Sequence, residues 1–317
     1  MAPRRVILDC DPGMDDSMAI VMACKSPALE VMAITTTHGN YPVDVTSTNA
    51  RKMLDLLGRT DIPVARGMAR PMVHDSPTDP FSHGADGQAE NFLPEPRVPL
   101  CTLHAVDLIV DTVLAHPGEV TVICTGPMTN LAMALIKDPR VGPALAGVVA
   151  ISGAFGLNEH AYANATGDTP QSEWNVYVDP EAAEIVYNSG VPLVAIGLDV
   201  ATYFEVDFSD DDLAQLEASP RPEASFLRQA IRYVTGRGYD PYCTIIDCMA
   251  IGYLIDPTLV DTFKGRVGIE TQGRLTYGMT VLDSRHHHTW GHLPEIDIAR
   301  TADYGRFLTI LRDLVLA

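Results

Sequence analysis

Basic side chains are scarce in this sequence: 22 Lys and Arg stand against 41 Asp and Glu over 317 residues, a formal net charge of -19. So negative a chain repels a phosphate backbone, which argues against a DNA or RNA partner. Long apolar runs are missing too. No uninterrupted stretch reaches the ~20 residues that cross a bilayer, and residues 1–5 lead into the first apolar run without a signal-peptide core. A cytoplasmic protein with no membrane partner is the expectation. The cysteines Cys10, Cys24, Cys101, Cys124, Cys243 and Cys248 form no C-x-x-C pair, so reduced, mostly buried thiols are expected. Nor is there a G-x-G-x-x-G, a P-loop, a G-x-S-x-G or an H-E-x-x-H. Dinucleotide, phosphate-loop, serine-hydrolase and zincin chemistry each lose their main support.

What the chain does carry is clustered oxygen. Asp9-Cys10-Asp11-Pro12-Gly13-Met14-Asp15-Asp16 places four carboxylates on one strand-to-helix turn. The run Val6-Ile7-Leu8 reads as a strand, Pro12-Gly13 as a turn and residues 17–23 as a buried helix. At the helix start each anion gains at most ~1 kcal/mol from the free N–H groups, too little to offset several crowded carboxylates. A hard divalent cation offsets them, because Ca²⁺ collects carboxylate, carbonyl and hydroxyl oxygens. A simple helix cap needs one acid, not four. Cys10 alternates with Asp9 and Asp11, so its side chain is expected on the opposite face.

Strand and helix patterns alternate along most of the chain, which predicts an α/β fold: a single-domain, open, mostly parallel, Rossmann-like sheet flanked by helices over residues 1–317. Strands are expected at 31–37, 120–124, 148–151 and 191–196. Helices are expected at 45–57, 129–136, 226–234, 245–255 and 304–315, with a hairpin across 266–282 turning near Gly273. A polar loop spans 152–173. In such sheets ligands bind beyond the carboxyl ends of the strands, so the loops at Asp11, Asn40, Thr125 and 152–175 should open on one edge. Asp11, Asp15, Asp16, Asn40, Asn164, Glu173, Asn175 and Asp247 then form an oxygen-rich set suited to a metal and a polyhydroxylated ligand. Asp247 precedes the apolar Cys248-Met249-Ala250-Ile251, a carboxylate planted in a buried helix.

These motifs resemble the nucleoside hydrolases, the inosine-uridine-preferring ribohydrolase family. The aspartate run matches its N-terminal signature and Thr125-Gly126-Pro127-Met128-Thr129-Asn130 its central turn. Glu173-Trp174-Asn175-Val176 with Asp179-Pro180-Glu181-Ala182 matches the sugar-holding segment, and Glu270-Thr271-Gln272-Gly273-Arg274-Leu275-Thr276 the late hairpin. The resemblance implies one Ca²⁺ on Asp11, Asp16, Asp247 and the Thr125 carbonyl. It implies that Asp15, Asn40, Asn175 and Asp247 bind the ribose 2′- and 3′-hydroxyls, that Glu173 with Asn164 reaches the 5′-hydroxyl, and that Asp11 is the base. It further implies a small-molecule nucleoside substrate and a homodimer or homotetramer.

The chain departs from the family where many members carry a histidine before the last of these aspartates; here the residue is Ile246. Isoleucine donates no proton. His83, in Ser82-His83-Gly84-Ala85-Asp86-Gly87, matches a second family histidine near the base and is the remaining candidate for leaving-group activation. Gln229, Tyr233, Tyr239 and Tyr242 read chiefly as packing residues. His286-His287-His288 with His292 reads as exposed, since adjacent histidines on extended backbone point in alternate directions. Two other readings stand beside the hydrolase: a Mg²⁺ phosphohydrolase using Asp9 and Asp11, and a nucleoside- or ribose-binding protein without turnover.

Overall fold

The computed structural model describes residues 2–77, 79, 81–202 and 207–317. Its strands are β1 (Arg4–Cys10), β2 (Leu29–Thr36), β3 (Val64–Arg66), β4 (Val120–Cys124), β5 (Gly147–Ile151), β6 (Leu193–Ile196), β7 (Val260–Gly265), β8 (Val267–Ile269), β9 (Thr280–Leu282) and β10 (Ile296–Ala302). Eight of them make one sheet in the order β3-β2-β1-β4-β5-β6-β10-β7, and β8 and β9 pair separately. Every pairing in the large sheet is parallel except β10 with β7. The central strands read as near-continuous apolar runs because helices cover both faces. The edge strand β7 instead exposes Asp261 and Lys264, which pair with Arg300 and Asp297 of β10, a charged edge that discourages further strand addition.

On one face the helices Met14–Lys25, Val43–Leu57, Pro222–Thr235, Cys248–Ile255 and Tyr304–Leu316 pack in one apolar cluster; on the other, Ala105–Ala115, Thr129–Lys137 and Pro180–Tyr187 pack in a second. Among the described residues no helix is long and apolar enough to cross a membrane. The strand registers bring the carboxyl ends level: Cys10 lies beside Thr36, Asp9 beside Cys124, Cys124 beside Ala150 and Ile151 beside Ile196. The loops bearing Asp11, Asn40, Thr125 and residues 152–175 therefore share one edge, as expected.

Several expected elements shift. The 245–255 helix begins at Cys248, because Pro241–Thr244 forms a tight 3-10 turn first. The hairpin keeps only three residues per strand, and its connection folds back at Gly273, whose carbonyl accepts from Thr276 and Tyr277 N–H. Within the polar 152–173 loop, His160–Ala163 is a single helical turn.

Candidate active site

Asp11 leaves the end of β1 fully buried, and the chain wraps around it. The Asn40 N–H donates to its Oδ2 (2.6 Å), while its own N–H donates to Asp16 Oδ1 (3.3 Å). The wrap needs glycine on two sides. A Cβ on Gly39 would lie 2.0 Å from Asp11 Oδ2, and one on Gly126 would lie 2.7 Å from Oδ1. Asp16, in the first turn of the Met14–Lys25 helix, does the capping: Gly13 N–H donates to its Oδ2 (3.1 Å) and the Thr125 hydroxyl to its Oδ1 (2.7 Å). Asp15 and Asp16 meet Asp247, at the head of the Cys248–Ile255 helix, with one oxygen of each carboxylate within 4.8 Å of the others.

Above this floor lies a cavity of about 460 Å³, large enough for a nucleoside-sized ligand. Asp15, Asn40, His83, Thr125, Asn164, Glu173, Asn175 and Asp247 all line it, so the sequence-derived set converges on one space; Asp11 and Asp16 sit just beneath. Asn175 Nδ2 donates to the Thr125 carbonyl (2.8 Å) and to Ile151 O (3.1 Å), which aims its amide across the cavity floor. Glu173 caps its own short helix, accepting from Asn175 N–H (2.7 Å), Val176 N–H (3.1 Å) and Gly153 N–H (3.2 Å). Asn164 Nδ2 donates to Thr202. His83, a loop histidine in the sequence, is only 7% exposed. Its Nδ1 accepts from Met14 N–H (3.2 Å) and lies 3.7 Å from Asp15 Oδ1.

Without a counter-charge these carboxylates are held in the wrong state. Burial, reinforced by neighbouring carboxylates, pushes Asp11 and Asp247 well above the usual range; burial raises Asp15 and Asp16 to about 6 and Glu173 to about 7. Asp11 Oδ1 and Asp15 Oδ1 are buried with no hydrogen-bond partner. No lysine or arginine lines the cavity among the described residues. Orphaned hard oxygens, a carboxylate trio and an absence of cationic side chains are what a divalent-cation site requires.

Gln229 and Tyr233 do not line the cavity. They tie their helix to the neighbouring loop through Ala89 O and Phe81 O. Ile246, Tyr239, Tyr242, Cys243 and Val234 form an apolar and aromatic wall. His286, His287, His288 and His292 are exposed, and Cys10, Cys124 and Cys248 are buried free thiols. Sequence reasoning missed Asp79, Ser82, Trp174 and Thr202, which also line the cavity. Ser82 and Trp174 lay inside motifs matched above; Asp79 carried no signal, one of two acids with Asp75 in a proline-rich stretch.

His38 was missed as well. It is fully buried, with Nε2 3.1 Å from Thr129 Oγ1 and Nδ1 3.4 Å from Ser76 Oγ. Burial lowers its imidazole to about 4. As pH falls the unfolded chain takes up this proton first, so the stability that neutral His38 contributes is complete above ~6.5 and is lost toward pH 4. His38→Gln has no such proton. The stability gap between wild type and variant in urea melts should narrow from pH 7 to pH 4, and a constant or widening gap would contradict a buried neutral ring.

Known proteins share this chain's sequence pattern and fold. Residues 6–309 match the model of the inosine-uridine preferring nucleoside hydrolase family. The pyrimidine-specific ribonucleoside hydrolase RihA of Citrobacter koseri is 37% identical over 313 residues, covering 97% of this chain and 96% of that one. RihA from Escherichia coli is 36% identical over the same length. Among solved structures, a plant nucleoside hydrolase superposes with a TM-score of 0.88 at 30% identity over 99% of both chains. A purine-preferring ribonucleoside hydrolase from Gardnerella vaginalis superposes at 0.84 with 28% identity over 98% of both. With aspartate turn, cavity and comparisons in agreement along the whole chain, this protein belongs to the inosine-uridine preferring nucleoside hydrolase family and is a nucleoside N-ribohydrolase.

Proposed function

We propose that the enzyme hydrolyses the N-glycosidic bond of ribonucleosides to ribose and free base, with Asp11 as the base that takes the proton of the attacking water, in a site that holds Ca²⁺. The observation that carries the reading is the cavity floor: the carboxylates of Asp15, Asp16 and Asp247 meet there, beside the unpartnered buried oxygens of Asp11 and Asp15. Asp11, Asp16, Asp247 and the Thr125 carbonyl would hold the cation. When bound it lowers the pKa of water and balances the buried negative charge.

Asp15, Asn40 and Asn175, which line the cavity, would bind the 2′- and 3′-hydroxyls, with Glu173 and Asn164 at the 5′ end. Departure of the base leaves positive charge on the sugar ring, as in other glycoside cleavages. A floor of fixed carboxylates is preorganised for that charge. The Ile246 and Tyr242 wall suits a flat base. Because Met14 N–H occupies Nδ1 of His83, the neutral ring carries its proton on Nε2. Burial also lowers its pKa. His83 therefore serves as a hydrogen-bond donor to the departing base.

His83→Ala should slow natural nucleosides by about 10- to 100-fold, the cost of one hydrogen bond to developing charge, and slow a nitrophenyl riboside far less, since that leaving group needs no help. Equal losses on both substrates would move His83 into general binding. The reading as a whole is tested with a panel of purine and pyrimidine ribosides and a phosphate monoester, scored for ribose and phosphate release with and without chelator. Chelator-sensitive ribose release supports it. Phosphate release, or ligand binding with no ribose after overnight incubation, overturns it.

A further inference from the structure

Outside the cavity lining a chain of buried hydrogen bonds crosses from the β2 loop to the loop before the Pro180–Tyr187 helix. The Thr129 hydroxyl donates to Asp179 Oδ2 (2.6 Å), so its oxygen is left to accept from His38 Nε2–H, and His38 Nδ1 accepts from Ser76. Asp179 is fully buried and also accepts from Ala182 N–H (3.1 Å) and Met72 N–H (3.1 Å). The His38 N–H donates to Met68 O. None of the three side chains lines the cavity.

Each attachment leads to a part of the site. His38 stands two residues before Asn40, whose N–H holds Asp11. Asp179 ends the Trp174–Val178 helix that carries Asn175, and its own N–H donates to the Asn175 carbonyl (3.4 Å). Ser76, Met72 and Met68 belong to the segment leading to His83. We propose that His38, Thr129 and Asp179 are positioning residues, a strut that fixes Asn40 against Asn175 and so sets the enzyme's discrimination for ribose from outside the cavity. The inference rests on the assignment of Asn40 and Asn175 to the ribose hydroxyls. Ordinary packing residues would affect stability alone. A strut also changes how well two hydroxyl-binding groups face each other, and small misplacements of such groups are costly.

The test compares kcat and KM for a riboside and the 2′-deoxyriboside of the same base in wild type, His38→Ala, Thr129→Val, the double variant and Thr129→Ser, each assayed well below its own Tm. The expected result is a fall in the riboside-to-deoxyriboside ratio of kcat/KM on the order of 10- to 100-fold in both single variants, a double variant no worse than the poorer single one, and a near-wild-type ratio in Thr129→Ser, which keeps the hydroxyl. Thr129→Val is nearly isosteric and carries the test if His38→Ala fails to fold. A wild-type ratio in Thr129→Val, whatever its Tm, or additive losses in the double variant, overturns the strut. Wild-type enzyme that cleaves no riboside would strike the functional reading instead.

Discussion

Asp11→Asn is expected to lower kcat on ribonucleosides by on the order of 10²–10⁴-fold while the protein stays folded. That range is what a positioned proton acceptor typically contributes, and the amide has no basic electron pair to offer the water. The geometry predicts retention of fold. An amide oxygen can still accept from Asn40 N–H as Asp11 Oδ2 does, and burial with the neighbouring Asp16 already pushes the metal-free Asp11 carboxyl toward its neutral form, which the amide matches in shape and charge. The metal-free variant should therefore melt no lower than the metal-free wild type. Stopped assays for ribose on inosine and uridine, with thermal melts beside them, measure both quantities. Near-normal turnover would require a different base. A collapse of Tm together with activity would make Asp11 a folding residue first.

Much of this site was legible in the sequence because the chemistry is concentrated in a few short segments. Four acids on one turn have few stable explanations, and the C-terminal edge of a parallel sheet gathers loops in a way that sequence order alone predicts. Asp247 was legible for a different reason: a carboxylate beside Cys248 and Met249 is costly unless it has a partner. The strands of the far edge were less readable. β3 is three residues long, and β10 (IDIARTA) mixes charges into a strand because its neighbour β7 is an exposed edge. The Ala105–Ala115 helix went unseen although it is strongly apolar. His38, Thr129 and Asp179 illustrate the remaining gap. Nothing in spacing links residues 38, 129 and 179, and their connection exists only once the ends of β2 and β4 are brought level on either side of β1. His83 lies between these cases. Its motif marked it, but only the fold shows that Met14 N–H fixes its tautomer.

Removal of metal should lower both activity and thermal stability, and the size of the loss should grow with pH. Any ligand that binds only the folded state stabilises it by mass action, about 2.7 kcal/mol at a hundredfold excess over Kd, which in a chain of this size is roughly 5 °C in Tm. The pH dependence follows from the carboxylates. In the metal-free protein Asp15 and Asp16 titrate near 6, raised by burial. A raised carboxyl contributes stability that is complete below the unfolded value, near 4, and is lost as pH climbs through the folded value. Metal-free protein therefore weakens from pH 4 to pH 7, while deprotonation over the same window strengthens metal binding. Melts after exhaustive chelation, with and without added Ca²⁺, should diverge as pH rises from 5 to 7, with ribose release returning on addition of Ca²⁺. Mg²⁺ should restore less, because a crowded set of protein oxygens suits a larger ion with flexible coordination better than one that keeps most of its waters. Identical melting curves and full turnover after chelation would remove the metal from this enzyme and leave the buried Asp15, Asp16 and Asp247 trio to share protons instead.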